Sequence, residues 1–192
     1  NAYTLLLAAF ILVGGSLGDL YGRKRVFMLG IAVFGSASMA SGLAPSTSFL
    51  IGARVLQGLG GALMIPGSLA LITACFGPDQ RGRAIGTWSA LSTVTTVIGP
   101  LLGGYLASLG LWRAIFYINV PLAVVTLLIL VYRVPESVAQ EASKLDLPGM
   151  ISITLGLSGL AYGFIEASAR GFGSPLILAT LLGGAGAIGM FI

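Results

Sequence analysis

Seven apolar stretches, each long enough to cross a lipid bilayer, dominate this chain. They run roughly 1–18, 26–44, 49–74, 84–107, 114–132, 148–166 and 175–192. A hydrocarbon core of about 30 Å takes about 20 mostly apolar residues wound as a helix. In lipid the backbone finds no water, so only helices and closed barrels satisfy its polar groups. The stretches are continuously apolar rather than alternating with period two, which disfavours a barrel. Composition agrees: 8% of the 192 residues are charged and the mean hydropathy is +1.00, whereas about a quarter of a soluble domain is charged. A water-soluble globule and a disordered chain are both excluded. The 29 glycines follow no period of three, so the chain is not collagen-like. The expected class is all-α integral membrane, with seven transmembrane helices.

The few charges orient these helices. Arg23, Lys24, Arg25, Arg81, Arg83, Arg133 and Lys144 lie in the first, third and fifth connections, whereas the connections between them hold only Arg113 and Arg170. That asymmetry makes the odd connections cytoplasmic. It also accounts for the net charge of +4 without nucleic acid, since no basic run exceeds three residues and none is interleaved with aromatics. The single cysteine, Cys75, cannot form a disulfide within the chain. Without histidine there is no histidine metal ligand and no Ser-His-Asp machinery. No metal or cofactor is expected, and no GxxxxGK[ST] phosphate loop occurs. The chain opens at Asn1 and closes at Ile192 inside apolar sequence, so it reads as an internal piece of a longer protein.

Three segments carry unusual chemistry. The first is Gly15-Ser16-Leu17-Gly18-Asp19-Leu20-Tyr21-Gly22-Arg23-Lys24-Arg25. Its glycines allow a tight reversal. Asp19 ends a span, where a carboxylate opposes the helix dipole. It should seek a cation, with Arg23, Arg81 and Arg83 as candidates, or another helix N-terminus. By physics alone the segment is either an ordinary cytoplasmic turn or a working loop.

The second is Arg54, about five residues into the third stretch, with Gln57 and Gly61 on the same face at i+3 and i+7. A charge in the membrane is expensive and points to function at the bundle interior, unless the side chain snorkels to the outer interface. The third is the stripe Ser92, Thr95, Thr96, Gly99 and Gly103 around Pro100. Proline kinks a helix, and a small polar stripe lets another helix approach closely. Taken alone, that stripe signifies only packing.

These segments together resemble the major facilitator superfamily. Gly-x-Leu-x-Asp-x-x-Gly-Arg-Lys looks like the signature loop between its second and third spans, although Leu20 stands where the family often has arginine. The resemblance implies that Gly15, Asp19, Gly22, Arg23 and Lys24 form a conformational latch. Arg54-x-x-Gln57-Gly58 resembles the span-four motif, which implies proton coupling through Arg54 with Gln57 as its companion. Gly99-Pro100-x-x-Gly103-Gly104 resembles the span-five antiporter motif of drug–proton exchangers, with Thr95 where glycine is frequent. Trp112-Arg113-Ala114-Ile115-Phe116-Tyr117-Ile118-Asn119-Val120-Pro121 and Leu145-Asp146-Leu147-Pro148-Gly149 are similar to the openings of spans six and seven in the fourteen-span drug:proton antiporter branch.

On this resemblance, 1–132 forms most of an N-terminal six-helix bundle lacking its first span. Residues 133–147 are a cytoplasmic linker, and 148–192 are the two extra helices of that branch. Met64, Trp88, Ser92, Thr96 and Tyr105 are candidates to line a drug cavity, or they pack against lipid and helices. Glu166 is an interfacial residue or a proton site. The expected activity is proton-coupled efflux of drugs or other amphipathic molecules across the cell membrane by alternating access. The expected partners are a small-molecule substrate, protons and the lipid bilayer, in a protein that is monomeric when full length. No acidic residue lies deep in the first five stretches, so the protonated carboxylate must lie elsewhere. A metabolite exporter or uptake symporter of the same fold is the alternative. A membrane enzyme or a structural subunit fits less well, because no acidic or histidine cluster lies at a membrane face and a subunit would not need Arg54 at that depth.

Overall fold

A computed structural model describes residues 2–137 and 147–191. Of the expected linker, 138–146 lies outside these described residues. Every regular element among the described residues is a helix, and no strand occurs within them. The helices are α1 (Ala2–Tyr21), α2 (Arg23–Gly42), α3 (Thr47–Cys75), α4 (Pro78–Ser108), α5 (Ala114–Tyr117), α6 (Asn119–Arg133), α7 (Leu147–Arg170) and α8 (Pro175–Phe191). Five rods are long and apolar enough to cross a membrane: α2, α3, α4, the α5–α6 rod and α7. Shorter apolar helical segments run Phe10–Tyr21 and Pro175–Gly189.

Local chemistry sets the boundaries. Gly22 separates α1 from α2 with φ of 105°, which disfavours any residue with a side chain. Ser46 caps α3, its Oγ accepting from the Phe49 amide at 3.3 Å. Pro78 opens α4 in the first turn, where a missing N–H costs nothing. The expected sixth span is divided between α5 and α6. Pro121 has no N–H for the Tyr117 carbonyl, but Ile118 keeps helical angles of −56° and −34°, so the rod continues.

Packing follows the small residues. α2 and α3 cross where Gly30 meets Gly60. A Cβ added at Gly60 would lie 2.7 Å from the Phe34 amide nitrogen and 2.9 Å from the Gly30 carbonyl oxygen. Such close backbone approach is how helices associate where burial of apolar surface gives no drive. α1 lies along α3, and α6 lies along α2. Ile31, Leu71 and Leu130 form the core there, flanked by Phe27, Met28, Met64, Ala123 and Leu127. α7 and α8 make an antiparallel hairpin through Gly156 and Gly184, and α7 rests against α1.

α4 is different. Among the described residues it touches only α3 and α5, and it buries no residue. Leu91, Val97 and Leu101 stand open on it, as lipid-facing side chains do.

Sidedness emerges from contacts between connections. The Arg23 amide donates to the Ser137 carbonyl at 2.9 Å, which brings the chain after α6 to the α1–α2 turn. At the opposite end Arg113 Nη1 donates to the Gly42 carbonyl at 2.8 Å. This is the alternation expected from the charges.

Candidate functional site

Arg54 leaves α3 two turns from its start and reaches toward α1 and α5. Its guanidinium carbon lies 4.5 Å from the centre of the Tyr3 ring and 5.8 Å from that of Phe116. Aromatic faces attract a cation, most strongly where water is scarce. Its Nη1 donates to Gln57 Oε1 at 2.7 Å, so the side chain is held within the bundle by an acceptor one turn along the same helix.

Gln57 is 1% exposed and passes the connection on. Its Nε2 donates to Ser38 Oγ on α2. Ser38 is fully buried, and its Oγ also accepts from Asn119 Nδ2 on α6 at 3.0 Å. A chain of side chains, Arg54–Gln57–Ser38–Asn119, thus crosses three helices in an otherwise apolar interior. Unpaired polar groups there would each be costly, so the residues stand or fall together. Sequence reasoning singled out Arg54 and Gln57 but missed Tyr3, Ser38, Phe116 and Asn119. Asn119 had a signal: it is the only asparagine beside Asn1, and it sits in an apolar stretch.

The Gly15–Arg25 segment, which is helical on both sides of Gly22 rather than an open loop, closes on itself and on a distant segment. Of the three candidate partners for Asp19, the structure selects Arg23, one turn on, with Nε and Nη2 each 2.9 Å from Asp19 Oδ1. Arg81 instead donates through Nη2 to the Thr73 carbonyl at 2.7 Å. Glu136 lies three residues beyond the end of α6. Its Oε1 accepts from the Lys24 amide at 3.0 Å, and its Oε2 lies 3.5 Å from Arg25 Nε. A carboxylate at a helix N-terminus meets free amides and the positive end of the dipole. Glu136 therefore ties the end of α6 to the start of α2. A Cβ added at Gly15 would lie 3.5 Å from Pro66 Cβ, an ordinary van der Waals contact.

The stripe Thr95, Gly99, Pro100, Gly103 and Gly104 lies on α4. A Cβ added at Gly99 or Gly104 would meet nothing within 4 Å, and one at Gly103 would only approach Ile115, at 3.9 Å. Thr95, Thr96 and Ser92 turn their hydroxyls back to their own helix at 2.8 Å. Among the described residues only α5 reaches this stripe, at Gly103. Trp88 borders a cleft of about 610 Å³ between α3 and α4, with Phe76 and Arg83 at its margin. Met64 packs into the α2–α3 core instead. Glu166 pairs with Arg170, Nε to Oε2 at 2.9 Å. That hydrogen bond, with the carboxylate charge, holds the exposed guanidinium above the ordinary arginine range.

No group of three or more potential metal ligands occurs among the described residues. The acidic side chains among them, Asp19, Asp79, Glu136 and Glu166, all lie near helix ends or in connections.

A helical bundle of membrane-spanning length, packed through glycines and holding one arginine at the end of an internal polar chain, is the build of a multi-pass membrane protein. The chain belongs to the Major Facilitator Superfamily, whose family profile matches residues 1–192. It is 38% identical over 193 residues to the Multidrug resistance protein Stp of Mycobacterium tuberculosis (strain CDC 1551 / Oshkosh), covering 100% of this chain and 36% of that protein. It is 37% identical over 180 residues to the Methylenomycin A resistance protein of Bacillus subtilis (strain 168), covering 93% and 38%. It is 37% identical over 174 residues to the Tetracenomycin C resistance and export protein of Streptomyces glaucescens, covering 90% and 32%. The chain thus spans about a third of the length of these relatives. In fold it matches the crystal structure of a bacterial homologue of the human lysosomal transporter Spinster, inward-facing and unoccupied. That match has a TM-score of 0.52 at 23% identity, and it covers 97% of this chain and 52% of that one.

Proposed function

We propose that the protein containing this chain exports amphipathic small molecules across the cell membrane in exchange for protons. The similar proteins are named for multidrug resistance, methylenomycin A resistance, and tetracenomycin C resistance and export, which supports the direction and the substrate class. The observation that carries proton coupling is the setting of Arg54. A permanent cation, half-buried against the bundle, is held by a neutral carboxamide and two aromatic rings, with no carboxylate paired to it among the described residues. Such a cation lowers the proton affinity of any carboxylate brought near it. A carboxylate that meets Arg54 in one conformation and leaves it in the other would release and take up a proton in step with alternating access. We place that carboxylate on a span beyond these residues.

In this reading Gly15, Asp19, Gly22, Arg23 and Lys24 latch the cytoplasmic side. Thr95, Gly99, Pro100, Gly103 and Gly104 form the face against which a further helix seals. Residues 1–132 belong to one six-helix bundle, 133–147 link it onward, and 148–192 are the extra helix pair of a fourteen-span monomer. The test uses everted membrane vesicles holding the full-length protein. Arg54→Ala should abolish export driven by a pH gradient while the amount of protein in the membrane stays constant. Gradient-driven export at the wild-type rate in that variant would overturn the coupling role.

A further inference from the structure

We infer that Asn119 is a positioning residue for Arg54, acting from α6 through Ser38 and Gln57; this rests on the coupling role proposed for Arg54. Gln57 presents two unlike ends. Its Oε1 must face the guanidinium, because a reversed carboxamide would set N–H donors against N–H donors. Its Nε2 must then find an acceptor in a dry interior, and Ser38 Oγ is that acceptor.

A serine hydroxyl can accept or donate, so Ser38 alone does not hold the carboxamide one way round. Asn119 Nδ2 supplies the second donor to the same oxygen, at 3.0 Å. With both lone pairs engaged by amide N–H groups, the hydroxyl proton points away from Gln57. Remove Asn119 and the hydroxyl is free to turn its proton on Gln57 Oε1, which draws that oxygen off Arg54.

The same short segment holds the cation from its other side. Phe116, three residues before Asn119, presents its ring to Arg54. The joint between α5 and α6, loosened by Pro121, therefore touches both ends of the chain of contacts. A shift of this joint would move the ring and the hydrogen-bond relay together. That gives the α5–α6 rod two routes to the charge, one direct through the Phe116 ring and one through Ser38 and Gln57.

The test compares Asn119→Ala, Gln57→Ala and the double variant in the full-length protein, alongside Arg54→Ala. Asn119→Ala should lower kcat of gradient-driven export about tenfold, the scale of one hydrogen bond to a charge-bearing relay, with KM within about twofold. The double variant should be no slower than Gln57→Ala alone, because both act through one path. If Asn119→Ala fails to reach the membrane, Ser38→Ala removes the relay with little change of volume and should show the same lack of additivity. Multiplicative losses, or a raised KM with unchanged kcat, would overturn the positioning role while leaving the coupling role of Arg54 intact. Full coupling in Arg54→Ala would remove the coupling reading and this inference with it.

Discussion

Arg54 Nη1 donates to Gln57 Oε1 at 2.7 Å, one helical turn along α3. The pair converts a charge that the membrane resists into one end of a hydrogen-bonded chain. The alternative expected for Arg54, a side chain that snorkels to the outer interface, does not describe this geometry. The guanidinium is turned inward, toward the Tyr3 and Phe116 rings, and its acceptor is almost fully buried.

Gln57→Leu should therefore destabilise the protein and impair export together. Leucine nearly matches the volume but leaves Arg54 Nη1 without its acceptor and Ser38 without one of its donors. Loss of one buried partner costs about 1–3 kcal/mol, visible as earlier thermal unfolding of the full-length protein in detergent. A variant as stable as wild type would mean that the carboxamide holds nothing in place.

The clasp at the cytoplasmic end has its own test. Glu136→Ala removes the acceptor of the Lys24 amide and the partner of Arg25. The ion pair is exposed on the Arg25 side and contributes little. The capping of α2 should account for most of the loss, about 1 kcal/mol. Glu136→Gln keeps a side-chain oxygen for the amide and should retain most of that stability. Equal losses in both variants would show that the charge, not the cap, matters.

Gly60→Leu should be far more damaging. A Cβ there would already sit 2.7 Å from a backbone nitrogen of α2, and backbone cannot turn aside as a side chain does. Overpacking of this kind costs about 1–3 kcal/mol or more. The expected readout is loss of folded protein from the membrane fraction. Wild-type abundance would require α2 and α3 to cross elsewhere.

The rods were legible in the sequence because lipid permits so few structures. Twenty apolar residues in a row leave a helix as the simplest answer, and loop charges alone ordered the ends. Pro121 was the exception at the level of detail: it divides α5 from α6 without bending the chain out of its rod. Arg54 and Gln57 stood out as polar groups where polar groups are expensive. Ser38 did not, because a lone serine in a span signals nothing until its partner is known, and that partner, Asn119, conspicuous only as a rare asparagine, lies 81 residues away. Glu136 was hidden for the same reason. Its partner amide is 112 residues away, and backbone amides carry no sequence signal.

The stripe on α4 gives the last prediction. Gly99 resembles Gly60 in sequence, as a glycine in an apolar span, but not in its surroundings. A Cβ at Gly99 meets nothing within 4 Å of the described chain, whereas one at Gly60 meets backbone. Within this part of the protein, Gly99→Leu therefore has no clash to cause. It should leave the α1–α3 core intact and destabilise the full-length protein much less than Gly60→Leu. Its effect should fall on export instead, because a sealing face must admit another helix closely in at least one state of the cycle. The measurement pairs thermal unfolding in detergent with export from everted vesicles. Slowed or leaky export at near-normal stability is the expected result. Normal export would reduce the stripe to a surface facing lipid. A collapse in stability equal to that of Gly60→Leu would show that a permanent neighbour, not a transient one, packs against α4.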